Sequence, residues 1–473
     1  MTPQLDNWID GKQTQPRTAV YRLGTDPVSG KETVEVADSD VSDVEAAVRA
    51  AKRAAQGWRH LPSAERLRIL YKIAGAIREN SQALVSLEIQ DTGKPETTAL
   101  AEIETAAAYF EFYAGLVNMP IGDVIDVEPD QHLFTTREPF GVIGVITPWN
   151  MPLNQAARAA APALATGNVL VIKPAEASCQ TTVLLAKLAS EVGLPDGVLN
   201  VVLGSGDVVG SAIVSNPDVR MVAFTGSVRT GQAIGRIAAE RIIPLTLELG
   251  GKSANIVFAD ADLELAASEA VRAFLSNAGQ VCSAGTRLLV ESSIHDDFVA
   301  RVAEIAADMR EGVDVGPLVT RGQFETVQQY FETARAEGAS PLIGGGVSKD
   351  PTLKGGYYVQ PTIYSGVTTE MRIAREEIFG PVLVTIPFDD EDEAVRIAND
   401  SEFGLVGGVF TRDIGRALRV ASAIEAGQVF VNSWSTGAVQ TPFGGHKNSG
   451  YGREKGFEAM LHYTHVKTVV VVY

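Results

Sequence analysis

Four short apolar runs, GVIGVITPW (141–149), VLVIKP (169–174), LNVVLG (199–204) and VRMVAFTGS (219–227), end in Gly, Pro, Ser or Thr or a residue beside them. Helix-length segments lie between them, at 153–166, 178–192 and 207–215, and a further one follows at 228–240. This alternation constrains the chain more than any other feature. Neighbouring parallel strands need a crossover of a dozen or more residues, usually a helix, and strands this apolar must be covered on both faces. The pattern therefore predicts a parallel sheet flanked by helices over about 1–250.

The alternation resumes after LTLELGGK (245–252). Strands at RLLVES (287–292), VLVTIPF (382–388), VGGVF (406–410) and QVFVNS (428–433) alternate with helices at 295–309, 391–399 and 413–424. A second α/β domain over about 251–445 is expected. The polar, Gly-containing stretch running to 355 gives no element. Ahead of the first strand, DVEAAVRAAKRAAQG (43–57) carries apolar residues at 44, 47, 48 and 51, a helical spacing, and Ser42 with Glu45 reads as a capping box. Two more amphipathic helices are expected near 64–79 and 81–91. The acidic run DDEDE (389–393) opens a helix, where carboxylates complement the dipole. The apolar tail KTVVVVY (467–473) needs a strand to pair with, in this subunit or another.

Length and charge narrow the function. A chain of 473 residues exceeds one ordinary core. A net charge of −18 disfavours a nucleic-acid partner, since phosphate binding needs a basic face. Two cysteines give no disulfide framework, so a cytoplasmic setting is expected. The opening MTPQLDNWIDGK does not read as a signal peptide, and no apolar run reaches membrane-spanning length. The six histidines offer no HExxH, and no metal is expected.

One of the two cysteines, Cys282, stands among small residues in FLSNAGQVCSAGTR (274–287), open to an approaching substrate. A buried structural thiol is the alternative. A nucleophilic thiol needs a base and an oxyanion donor. Glu248 ends an apolar strand before two glycines, where burial would raise its pKa and suit it to general base work; a salt bridge at a domain seam is the other reading. Asn150 follows TPW at another strand end, where its amide suits an oxyanion. The Rossmann GxGxxG is absent. FTGSVRTG (224–231) offers Gly226 for a tight turn, with Ser227 either as a helix cap or as a phosphate contact. Lys173 and Glu176 lie just past a strand's carboxyl end, where such sheets bind ligands.

Together these pieces resemble the aldehyde dehydrogenase superfamily. The resemblance runs from about residue 20 to the C-terminus through TPWNMPL (147–153), VIKPAEAS (171–178), FTGSVRTG (224–231), LELGGKSANIVFADADL (247–263), GQVCSAGTR (279–287), EEIFGPV (376–382) and PFGGHKNSGYGRE (442–454). It implies an NAD-dependent, hydrolytic enzyme with a Rossmann-type cofactor domain (1–119 and 139–250), a catalytic domain (251–445) and an oligomerisation or bridging segment (120–138 and 446–473). It further implies Cys282 as nucleophile, Glu248 as the base for the hydrolytic water, and Asn150 with the Cys282 N–H as oxyanion site. Cofactor contacts would come from Ile146, Thr147, Pro148, Trp149, Lys173, Glu176, Gly206, Gly210, Phe224, Thr225, Gly226, Ser227, Leu249, Glu377 and Phe379. Glu454 would act in proton relay or form a surface salt bridge. Glu176 favours NAD over NADP. Relatives form dimers or tetramers, so a homo-oligomer is expected.

The substrate is less constrained. Asn150, Asn154 and Arg158 are spaced by four, which would turn Arg158 into the same cavity, unless it forms an inter-helix salt bridge. Such an arginine resembles that of succinic semialdehyde and salicylaldehyde dehydrogenases, so a polar, anionic or hydroxylated aromatic aldehyde is expected. A second arginine of the succinic type is here Ser276, which departs from that pattern. Met151, Val281 and Ser283 would line the pocket. A broad aliphatic enzyme, a CoA-acylating enzyme and a catalytically silent structural protein are the alternatives, and Glu248 argues against the acylating type.

Overall fold

The computed structural model describes residues 3–119, 122–434 and 438–473; residues 120 and 121 of the expected oligomerisation segment and 435–437 of the expected catalytic domain lie outside the described residues. Two large sheets organise the chain. In the first, Leu245–Glu248, Val219–Thr225, Val142–Ile146, Val169–Lys173 and Leu199–Val201 run side by side in parallel. Every residue of Val142–Ile146 and Val169–Lys173 is buried, as a sheet covered on both faces requires. In the second, Thr362–Tyr364, Val382–Phe388, Arg287–Glu291, Ala254–Val257, Val406–Phe410 and Gln428–Val431 are parallel. Each sheet has its own apolar core.

The sheets set the site by their ends. Asn150, Lys173, Thr225 and Glu248 all fall at or just past carboxyl ends of the first sheet. Cys282 and Glu377 precede strands of the second, Arg287–Glu291 and Val382–Phe388. The carboxyl edge of one sheet thus faces the amino edge of the other, the crevice position where open α/β sheets take ligands.

Several elements depart from the sequence reading. The first helix is Val41–Arg59, and its capping box is built from Asp40 and Asp43, not Ser42 and Glu45. Asp40 accepts from the Ser42 and Asp43 N–H groups, while Asp43 reaches back to the Asp40 N–H at 3.2 Å. Glu45 instead points out and pairs with Arg49. The reading also passed over the helix Glu96–Ala114 and five short N-terminal strands. Within the supposedly featureless stretch to 355 lies the helix Arg321–Ala336, N-capped by Thr320. Its apolar residues are sparse, so periodicity alone did not mark it. The tail does find a strand: Thr464–Val472 pairs antiparallel with Gln131–Pro139 of the same chain over nine residues. Upstream of it, Gly450–Tyr451 adds to the first sheet beside Glu248, and His446–Lys447 pairs with Phe403–Gly404. Among the described residues no helix is long and apolar enough to cross a membrane.

The capping box makes a direct prediction. Asp40→Ala lowers stability by about 1 kcal/mol, read from the denaturation midpoint, whereas Glu45→Ala stays within about 0.5 kcal/mol.

Candidate active site

Cys282 lies on a turn that the backbone adopts only under constraint. Asn277, Ala278 and Gly279 are all left-handed, with φ of 51°, 54° and 72°. Such conformations are costly for residues other than glycine and need support. Gln280 supplies it. Its buried amide donates to the carbonyls of Asn277 (3.0 Å) and Pro317 (3.2 Å), and its Oε1 accepts from Val319 N–H at 2.9 Å. Gly279 allows the close approach, since a Cβ there would meet the Gly380 carbonyl oxygen at 2.1 Å.

Asn150 is tied to that turn. Its Nδ2 donates to the Gln280 carbonyl at 2.8 Å, and among the described residues no second acceptor engages the amide's other N–H. The Asn150 carbonyl accepts from Asn277 Nδ2 (3.0 Å) and from Lys94 Nζ (3.1 Å). Lys94 is wholly buried and also contacts Glu102 (2.7 Å) and Glu88 (3.3 Å). Burial alone would lower its pKa; the two carboxylates outweigh it and hold the ammonium charged. Lys94, Gln280 and Asn277 were not singled out in the sequence, because nothing in DTGKP (91–95) marks its lysine as buried.

Glu248 is 1% exposed and neither carboxylate oxygen has a hydrogen-bond partner among the described residues. Burial raises its pKa well above the carboxylate range, the Glu454 charge adds to that, and Arg158 and Arg453 oppose it. It is the unpaired glutamate expected, not one salt-bridged at a seam. The two glycines after it serve close packing: a Cβ at Gly250 would strike Glu377 Oε2 at 2.1 Å, and one at Gly251 the Cys282 carbonyl oxygen at 2.4 Å. Cys282 is half-buried. Desolvation pushes its thiol up to about 12; Arg158 pulls it down, while Glu248 and Glu377 push it up. Cys179, by contrast, is 2% exposed.

A cavity of about 290 Å³ joins these groups. Pro148, Trp149, Asn150, Thr225, Gly226, Ser227, Glu248, Leu249, Cys282, Glu377 and Phe379 line it, together with Gln155, Gly250 and Ile378. Gln323, Thr326 and Tyr330, from the helix missed in the sequence, complete the wall. Gln323 Nε2 donates to the carbonyls of Ile378 (2.8 Å) and Phe379 (3.0 Å), which steadies Phe379 at φ 57° with its ring edge-on to Trp149. At this size the cavity suits the reacting end of a dinucleotide with a small substrate.

A second cluster lies beyond it. Glu176 accepts from Gly206 N–H at 2.9 Å and pairs with the buried Lys173 at 3.4 Å. Gly210 abuts Ile146 and Lys173, and Ile146, Thr147 and Phe224 are buried beneath. Ser227 caps the helix Val228–Arg241, as one of its two readings held. The residues fit a dinucleotide: a half-exposed carboxylate beside a lysine suits ribose hydroxyls, the Thr147 Oγ1 is buried with no partner among the described residues, and the helix terminus next to Gly226 suits phosphate.

The substrate-side expectation needs correction. Arg158 does not line this cavity and is not a free guanidinium: it is buried and ion-paired with Glu454. Glu454, at 3% exposed, is therefore not in a surface salt bridge either. The spacing argument failed because the helix begins at Pro152, after Asn150, so the three residues do not share one helical face. Met151, Asn154, Val281 and Ser283 are half-buried around the site, outside the same cavity.

Two outcomes are expected. Lys94→Met strands two buried carboxylates and costs about 3–5 kcal/mol in unfolding free energy. Iodoacetamide labels Cys282 about 10-fold or more faster than Cys179, and the rate climbs with pH as the thiolate fraction grows; peptide mapping reads both.

Comparison with known proteins agrees with this geometry. Residues 12–469 match the model of the aldehyde dehydrogenase family. The betaine aldehyde dehydrogenase of Bacillus subtilis (strain 168) is 41% identical over 471 residues, covering 98% of this chain and 95% of that one. An indole-3-acetaldehyde dehydrogenase from P. syringae, solved with NAD+, superposes with a TM-score of 0.97 at 39% identity, covering 100% of this chain and 97% of that one. The betaine aldehyde dehydrogenase of Staphylococcus aureus, also solved with NAD+, gives a TM-score of 0.97 at 38% identity and covers 98% and 94%. The chain, with its thiol, carboxylate and amide gathered between two α/β sheets, belongs to the aldehyde dehydrogenase family.

Proposed function

We propose that the protein oxidises an aldehyde to its carboxylic acid with NAD, through covalent attachment to Cys282. The observation that carries this reading is the convergence of Cys282, Glu248 and Asn150 on one cavity. The Cys282 thiol gives up its proton to solvent, the thiolate adds to the aldehyde carbon, and the carbonyl oxygen becomes an anion. The Asn150 N–H left free by Gln280 is available to that oxygen. NAD, when bound, accepts the hydride released from that carbon. A thioester on Cys282 remains. Glu248, ionisable only above the ordinary carboxylate range and free of partners, takes a proton from water, which then cleaves the thioester. Aldehyde, NAD and water are thus converted to acid, NADH and a proton.

Glu176 supports NAD over NADP, because its carboxylate would repel a 2′-phosphate. The paucity of cysteine supports a cytoplasmic place, and the exposed valines of Thr464–Val472 support a homo-oligomer. On substrate, two readings stand. Relatives named for betaine aldehyde, at 41–42% identity, favour that compound. The second reading, a polar or anionic aldehyde with salicylaldehyde and succinic semialdehyde as representatives, draws support from the Lys455 ammonium beside the Phe443 ring of the cluster that Cys282 packs against.

The test is NADH formation from a panel of these aldehydes and a simple aliphatic one. Asn150→Ala lowers kcat by about 10²–10³-fold, and Cys282→Ala abolishes turnover. Full activity in Cys282→Ala would refute the scheme.

A further inference from the structure

Lys455 occupies a strained backbone position, with φ 63° and ψ 172°, immediately after the buried Glu454. Both flanks are pinned. Phe443 and Glu454 exchange backbone hydrogen bonds of 2.6 and 2.7 Å, Gly456 N–H donates to the Val439 carbonyl at 2.9 Å, and Tyr113 Oη donates to the Gly456 carbonyl at 2.9 Å. A left-handed lysine held this firmly points to a use for its side chain. That side chain is half-buried and lays its ammonium 5.6 Å from the centre of the Phe443 ring.

Phe443 belongs to the small apolar cluster against which Cys282 packs. The Arg158 guanidinium sits 5.3 Å from the centre of the same ring. Two protein cations therefore already engage an aromatic ring beside the nucleophile of the kind that a quaternary ammonium group would seek. Their charges are not equally balanced. Arg158 is paired with Glu454, whereas Lys455 has no carboxylate within salt-bridge reach among the described residues. Lys455 thus brings a positive charge without a direct carboxylate partner to the ring against which Cys282 packs. Desolvation, followed by the Arg158 charge, lowers the lysine to about 8, so it is mostly charged at neutral pH.

We propose that Lys455 selects the substrate: its ammonium receives a carboxylate or phenolate borne a few bonds from the carbonyl, and it turns away quaternary-ammonium aldehydes. This rests on the aldehyde oxidation proposed above and names its substrate class. Lys455 replaces Arg158 as the anion receptor that the sequence suggested.

The experiment compares kcat/KM for succinic semialdehyde, butanal and betaine aldehyde in the wild type, Lys455→Met, Lys455→Gly and Lys455→Arg. The glycine variant relaxes the strained backbone, so loss of the charge is separable from misfolding. In the wild type succinic semialdehyde is preferred to betaine aldehyde. The ratio of succinic semialdehyde to butanal falls about 10-fold or more in the Met and Gly variants, chiefly through KM, and is restored in Arg. Succinate slows iodoacetamide labelling of Cys282 in the wild type and less so in the Met and Gly variants. An unchanged ratio in both variants, or a wild-type preference for betaine aldehyde, overturns the assignment of Lys455 while leaving the oxidation in place. Failure of every aldehyde to yield NADH overturns both.

Discussion

The hydrogen bonds around Asn150 are the constraint on which the site depends. Asn150 belongs to the segment leaving the first sheet, Gln280 and Asn277 to the turn entering the second, and Lys94 to the end of a helical layer. Three ionisable groups, Lys94, Glu88 and Glu102, are buried together, and Lys94 donates to the one carbonyl oxygen of Asn150. Burying charges is costly unless every partner is in place, so the arrangement tolerates little displacement. Cys282 follows Gln280 by two residues and inherits its position from this junction. The amide that faces the reacting oxygen and the thiol that attacks the carbon are thus fixed by the same contacts.

Electrostatics then divides the labour. Glu248, Glu377 and Cys282 are all pushed toward their neutral forms by burial. A neutral Glu248 beside an unreacted thiol avoids placing two negative charges in one cavity. Arg158 is the group that draws both toward ionisation, and its pairing with Glu454 moderates that pull. Glu377 accepts from the Gly251 N–H at 3.1 Å, which lowers its pKa again and leaves it at about 7. Beyond this set lies Lys455, whose ammonium rests 5.6 Å from the centre of the Phe443 ring.

Much of this was legible in the sequence because it resides in strand ends. The periodic apolar runs located the first sheet, and Glu248, Lys173 and Thr225 follow from where those runs stop. The resemblance supplied the roles that chemistry alone left open, such as Glu377 and Phe379. What was not legible depends on contacts across long separations. Lys94 reaches Asn150 over 56 residues, and Glu454 reaches Arg158 from the far end of the chain. No local pattern reports such a partner, so Arg158 read as a free receptor. The helix Arg321–Ala336 escaped because its buried residues are few, Val327, Phe331 and Ala334, yet it supplies three cavity residues.

The central claim is that carbon is held on sulfur at Cys282 until Glu248 activates water. The most direct measurement is peptide mass spectrometry of the Glu248→Gln protein after exposure to a substrate aldehyde and NAD. The account predicts an acyl group on the peptide bearing Cys282, formed together with one equivalent of NADH and lost on treatment with hydroxylamine. An unmodified Cys282 peptide after NADH has formed, or the acyl group on another residue, would contradict it.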